Sequence, residues 1–227
     1  MGRRRDQGQG IARFANGSVY EGNFDRGETN GTGKITFSDG GSYEGEWVDG
    51  SINGQGIARY ANGTVYEGAF RDSIHHGTGR VSTPQGYVYD GEWVDGVKQG
   101  QGKITYPDGA VYEGDMVEGL AEGRGTLTQP EGVVYEGEWR GGQINGNGRL
   151  ALPNGDVYEG NFEDGKRAGP GKETYADGSV YEGSFLNDQR SGRGSFTGAD
   201  GFFYEGDFVQ GRKEGQGTVT YPDGSTY

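Results

Sequence analysis

The chain has 227 residues, a formal net charge of -13, 50 glycines, 30% hydrophobic residues and no cysteine. The acidic balance opposes generic binding to nucleic acid or anionic lipid, which both take a basic surface. The lack of cysteine excludes a disulfide framework and a thiolate metal site. Low hydrophobic content with high charge leans toward disorder, while 15 Tyr, 10 Phe and 3 Trp lean the other way. Order therefore has to be argued from pattern.

In chain order, residues 1–7 carry Arg3, Arg4 and Arg5 with no apolar run behind them. They read as a disordered segment rather than a signal peptide. Residues 8–19 form a partial repeat marked by Gly8, Gly10, Phe14 and Gly17. From Tyr20, tyrosines recur at 43, 66, 89, 112, 135, 158, 181, 204 and 227, every interval being 23 residues. Residues 20–226 thus make nine consecutive repeats, and Tyr227 is the first residue of a truncated tenth. A chain that starts and stops within repeats is expected to be part of a longer protein. No apolar run approaches the ~20 residues that span a bilayer. The compartment stays open, with the cytoplasm slightly favoured.

Each unit can be read by offset from its tyrosine. An acid stands at +1 and glycine at +2. An aromatic stands at +4 in every repeat but one, where Met116 takes its place. Glycine fills +11, +13 and +20 throughout, and +7 except at Ser73 and Asp188. Such regular placement makes the glycine architectural. In a strand, residues i, i+2 and i+4 share a face, so Tyr43, Gly45 and Trp47 point one way and Glu44 and Glu46 the other. The segment 33–37 repeats this alternation, with Gly33, Ile35 and Phe37 on one face. Glycine on the aromatic face leaves room for rings to lie across the backbone. The pairs at 39–40, 49–50, 62–63 and 154–155 are Asp-Gly or Asn-Gly turn signals. Glycine recurs too often for a stable helix.

Each repeat therefore predicts one β-hairpin, and the chain an all-β fold. Successive hairpins stack into an elongated single-layer antiparallel sheet, a rod-like solenoid advancing ~9–10 Å per repeat at ordinary strand spacing. One hairpin is not stable alone, so rings of neighbouring repeats must bury each other.

The unit Y-E-G-x-W/F-x-x-G-x-x-x-G-x-G, closed by an Asp-Gly or Asn-Gly turn, resembles the MORN (membrane occupation and recognition nexus) repeat over residues 8–227. The resemblance implies a scaffold that binds a protein or peptide along an aromatic groove and is open to self-association as a homodimer. It also implies two alternatives: a membrane or lipid-associating module, disfavoured here by the acidic charge, and the accessory array of a larger enzyme whose catalytic domain is absent. A single-layer sheet has no second layer to cover its rings. The Trp-bearing repeats are the candidate partner-binding positions: Tyr43, Trp47, Tyr89, Trp93, Tyr135 and Trp139.

Other chemistry is weakly supported. The acids at +1 stand ~10 Å apart, too far for an acid/base pair or a shared metal. Lys34, Arg80, Lys103, Arg149 and Lys172, all at +14, are placed to pair with them across strands. Asp39, Asp108, Asp177, Asp200 and Asp223 each precede a turn glycine, which accounts for them. His75 and His76 are the two histidines, and no Ser–His–acid set or phosphate loop accompanies them. No catalytic residue, metal or cofactor is expected. Glu173 at +15, Thr83, Gln129 and Gly198 at +17, and the extra rings Tyr87, Phe196, Phe202 and Phe203 break the pattern, as local repacking or as a binding feature.

Overall fold

The computed structural model describes residues 7–227. The disorder expected over 1–7 falls outside the described residues except at Gln7, whose side-chain amide donates to the Asp25 carboxylate. The chain divides into two compact units, Met1–Pro107 with Met116–Gly119, and Asp108–Asp115 with Leu120–Tyr227. Both are all-β and antiparallel. Among the described residues no helix is long and apolar enough to cross a membrane.

In the first unit, a six-residue strand at Gly8–Arg13 precedes alternating short and long strands. The short ones are Val19–Asp25, Ser42–Val48, Val65–Arg71 and Val88–Val94. The long ones are Glu28–Thr36, Ser51–Arg59, Ile74–Ser82 and Val97–Thr105. The second unit alternates in the same way, from Leu120–Thr128 and Val134–Arg140 to Phe203–Val209 and Arg212–Thr220. Within each unit successive strands pair, giving a single layer of stacked hairpins.

Register, which the turns alone leave open, is set by two different connections. Short strand leads to long strand through a two-residue turn such as Asp49–Gly50, with φ of 45° and 81°. Positive φ at both central residues defines a type I′ turn, whose twist suits a hairpin. Long strand leads to the next short strand through a wider loop, as where Phe37 N donates to Gly41 O and Gly40 N to Phe37 O. Asp39 closes that loop by accepting from Gly41 N at 2.9 Å, which gives the turn role expected for it.

Each hairpin also carries a bulge. Gly22 pairs Gly33 and Phe24 pairs Thr29, so Asn23 alone faces residues 30–32. The middle residue of the three, Gly31, has φ of 83°. Extra residues on one strand bend it and increase its twist. Acids at +3 then close the bulge: Glu46, Glu92 and Glu138 accept from the amides of Gln55, Gln101 and Asn147 at 3.2, 3.1 and 2.9 Å.

The core is the aromatic face. The tyrosine at the head of each repeat folds its ring back over the glycine pair at +2 and +13. Its hydroxyl donates to the carbonyl at +3, at 2.7–3.0 Å, from Tyr20 to Tyr204. A Cβ on Gly148 would stand 2.5 Å from Tyr135 Oη and 2.7 Å from its Cζ. Non-bonded carbons settle near 3.5–4.0 Å, so only glycine fits beneath the ring. Gly148→Ala is expected to cost about 1–3 kcal/mol through overpacking. The exposed neighbour Asn147→Ala should stay within about 0.5 kcal/mol of the parent. Urea melts at unchanged m-value would measure both, and equal midpoints for the two variants would refute the ring-on-glycine account.

Candidate functional site

The six candidate residues lie in one ladder of rings per unit. Except beside Met116 and at the last repeat, each tyrosine meets the +4 aromatic of its own repeat and that of the next, edge to face. Tyr43 touches Trp47 at 5.5 Å and Phe70 at 5.1 Å; Tyr66 touches Phe70 at 4.9 Å and Trp93 at 5.5 Å; Tyr89 touches Trp93 at 5.2 Å. In the second unit Trp139 stands between Tyr112 at 5.0 Å and Tyr135 at 5.7 Å. Edge-to-face pairs at such spacings are favoured by the ring quadrupoles. The indole N–H groups are used as well: Trp47, Trp93 and Trp139 donate to the carbonyls of Gly33, Gly79 and Gly125 at 3.2, 3.0 and 3.1 Å.

All six rings are buried, the tyrosines at 1% exposure or less and the tryptophans at 6–8%. Burial pushes the hydroxyls of Tyr43, Tyr66, Tyr89, Tyr135, Tyr158 and Tyr181 up to about 12, since an ionised phenol there would lose its hydration. Apart from Tyr227 at 93% exposure, the rings most open to solvent belong to another slot, +17, at the mouth of the wide loop. Phe37 and Tyr60 are 39% and 44% exposed, and Phe14 and Tyr221 are similarly open. Phe37 and Tyr60 border an apolar groove of 400 Å³ whose wall includes Tyr43, Trp47, Ile52 and Phe70.

The +9 slot lies opposite the +4 aromatic across the hairpin. In the first unit it holds Thr29, Ile52, His75 and Lys98. His75 stacks on Tyr66 at 3.6 Å and 6°, and its Nε2 shares a hydrogen bond with the Tyr60 hydroxyl at 2.9 Å. Burial lowers its pKa. Lys98 sits over the Tyr87 and Tyr89 rings at 4.6 and 5.0 Å.

The MORN repeat family matches this chain at residues 20–42, 43–65, 66–86, 89–111, 112–134, 135–157, 158–180, 181–202 and 204–226. The chain belongs to the MORN repeat family. Solved structures show a related fold at low identity. The TCP10 domain of Danio rerio CPAP in complex with a peptide of Danio rerio STIL is 17% identical, with a TM-score of 0.51 over 98% of this chain and 93% of that one. The TCP10 domain alone is 18% identical, with a TM-score of 0.51 over 96% of each chain. No curated protein matches.

Two MORN matches stop short, at residues 86 and 202. These are repeats whose +17 aromatic is replaced, by Thr83 and Gly198. In both, a ring appears at the other end of the same loop: Thr83 N donates to Tyr87 O and Gly198 N to Phe202 O. Tyr87 then meets Tyr106 at 6.3 Å and Phe202 meets Tyr221 at 6.1 Å. A half-buried ring is thus supplied from the other end of the loop where the +17 aromatic is missing.

The opposite face of the MORN sheet holds the acid ladder. Lys34 pairs in register with Glu21 and Glu44, and Arg149 with Glu136 and Glu159. The ion pairs are open, at 3.8 Å for Lys34–Glu44 and 4.0 Å for Arg149–Glu159. Exposed pairs of this kind contribute only about 0–1 kcal/mol. His76 is a turn brace: its Nδ1 accepts from Asp95 N at 3.4 Å, as Gln99 does from Glu118 N at 2.8 Å one repeat later. Among the described residues no group of three or more His, Cys, Asp or Glu could hold a metal.

Proposed function

We propose that this MORN chain is a non-catalytic scaffold that takes a segment of a protein partner along its aromatic face. Tyr43, Trp47, Tyr89, Trp93, Tyr135 and Trp139 form the floor of that face, and the exposed +17 rings make first contact. The observation that carries this reading is the groove of 400 Å³ in which Phe37 and Tyr60 stand open above the buried Tyr43–Trp47 pair. Exposed aromatic and aliphatic surface set on a rigid base is where interface energy concentrates. The related TCP10 fold, which was solved with a peptide of STIL, supports the same use of a stacked-hairpin sheet.

The test is capture from a cell lysate on the parent chain beside a Phe37→Ser/Tyr60→Ser variant, after circular dichroism shows both folded. A protein held by the parent and lost by the variant, with a Kd raised about tenfold or more on purification, is the expected result. Equal capture by both would remove this groove from the account. Self-association is the reading to adopt if the chain captures only itself.

A further inference from the structure

The +9 slot changes character along the second unit. After Ala121 and Ile144 it holds Arg167, Arg190 and Lys213 in successive repeats. Three cations on the aromatic face are unexpected in a chain of net charge -13. They lie on rings: Arg167 over Tyr158 and Phe185 at 5.5 and 5.1 Å, Arg190 over Tyr181 and Phe196 at 4.8 and 5.6 Å, and Lys213 over Phe196 and Phe202 at 4.5 and 4.2 Å. Cation–π contact holds the heads in place without neutralising them.

Countercharge on this face is short. Glu173, which breaks the aliphatic pattern at +15, is shared between Arg167 and Arg190, the second at 3.5 Å, and also accepts from the Tyr175 hydroxyl. Asp188 serves Arg167 at 3.5 Å. Among the described residues Lys213 has no carboxylate partner within ion-pair distance. Partial desolvation lowers its pKa, and the positive charge of Arg190 lowers it further. Two like charges therefore flank Phe196, and an anion seated beside them would relieve their repulsion. Arg190 and Phe196 also line a hollow bordered by Tyr175 and by Asp156 and Asp177, whose carboxylates accept from Ala176 N and Ser179 N at 2.9 and 2.8 Å. The charge of the two acids directs an anion to the other side of Phe196, toward Lys213.

We propose that this part of the aromatic face docks an acidic stretch of a partner protein, its carboxylates held by Arg190 and Lys213 and its apolar side chains laid on Phe196 and Phe202. Charge complementarity selects the occupant, since Lys213 keeps an unneutralised charge beside the half-buried rings Phe196 and Phe202. The proposal rests on the aromatic-face reading above and adds which partner chemistry that face takes.

Fluorescence anisotropy with three labelled decapeptides tests it at low salt: alternating glutamate and leucine, alternating serine and leucine, and alternating lysine and leucine. The glutamate peptide is expected to bind the parent more tightly than the serine peptide. Arg190→Gln/Lys213→Gln should weaken it about tenfold or more and flatten its salt dependence, while leaving the serine peptide unchanged. Lys213 is exposed, so Lys213→Gln alone serves as the test if the double variant fails to fold. An acidic peptide that binds no better than the serine peptide, or ignores these substitutions, overturns the proposal while leaving the aromatic-face reading intact. Binding of phosphatidylserine vesicles through Lys213 with no binding of the glutamate peptide would also overturn it, in favour of a lipid headgroup.

Discussion

Changing Trp47, Trp93 and Trp139 together to alanine is expected to abolish cooperative folding. Each indole is buried, meets two tyrosines edge to face and donates to a glycine carbonyl of the preceding repeat. Deleting a buried Phe or Trp ring costs about 3–5 kcal/mol. Three such losses at well-separated sites add approximately, and reach or exceed the ~5–15 kcal/mol that holds a domain together. The triple variant should show no sigmoidal thermal transition by circular dichroism. Trp139→Phe is the contrast: Phe70 and Phe162 fill the same slot elsewhere, so it should lose about 1 kcal/mol, that of one hydrogen bond. A triple alanine variant melting within a few degrees of the parent would mean that the ladder is not the core. The result also governs how function is tested, because a partner lost by the triple variant would report unfolding, not a contact.

Raising the pH from about 10 to about 12 should unfold the chain over a narrow interval. In the folded state six tyrosine hydroxyls are held neutral up to about 12 by burial, whereas in the unfolded chain they ionise near 10. Below 10 both states keep the proton and stability is at its full value. Above 10 the unfolded state gives up protons that the folded state retains, so stability falls as pH rises through the gap. Each hydroxyl contributes roughly 2 kcal/mol of loss by the top of that interval. Together the six amount to about 12 kcal/mol, comparable to the whole stability of an ordinary domain. Tyrosinate absorbance and ellipticity should therefore change together, in one steep step. A gradual rise in absorbance, with the ellipticity intact, would show the hydroxyls to be open to solvent.

The hairpins were legible because the spacing is invariant. Tyr, Gly and Trp at alternate positions can only share a face, and an Asp-Gly pair between two such runs can only be a tight turn. The pairing of Lys34 and Arg149 with the acid ladder followed from the same alternation. Which rings stay open was not legible. Tyr43, Trp47 and Phe37 all fall on the aromatic face by alternation, yet the first two are buried and the third is not. The difference comes from the fold-back of each tyrosine onto two glycines, and from a bulge whose three residues against one cannot be counted in a strand pattern. The cations were missed for a different reason. Counting by twos from the +13 glycine puts Arg167, Arg190 and Lys213 on the aromatic face, but the pattern was read only from +13 onward and not back across the bulge. The signal that could have found them was Glu173, an acid in an aliphatic slot, which needs a buried partner.

The division of labour within the hairpin has a consequence for how such a chain can change. Tyrosine, the two glycines beneath it and the +4 side chain, a ring in every repeat but the one with Met116, are packed on one another, while the +9 slot holds residues as different as Ile52, Lys98 and Arg190. The repeat behaves as a typeface with an interchangeable letter at +9. Moving a cation from one +9 position to the next shifts it by one hairpin, ~9–10 Å along the ladder, at little expected cost to folding. Under the proposed function, recognition would then be rewritten by transplanting single side chains between repeats, and a register error of one unit would slide a partner along the face instead of expelling it.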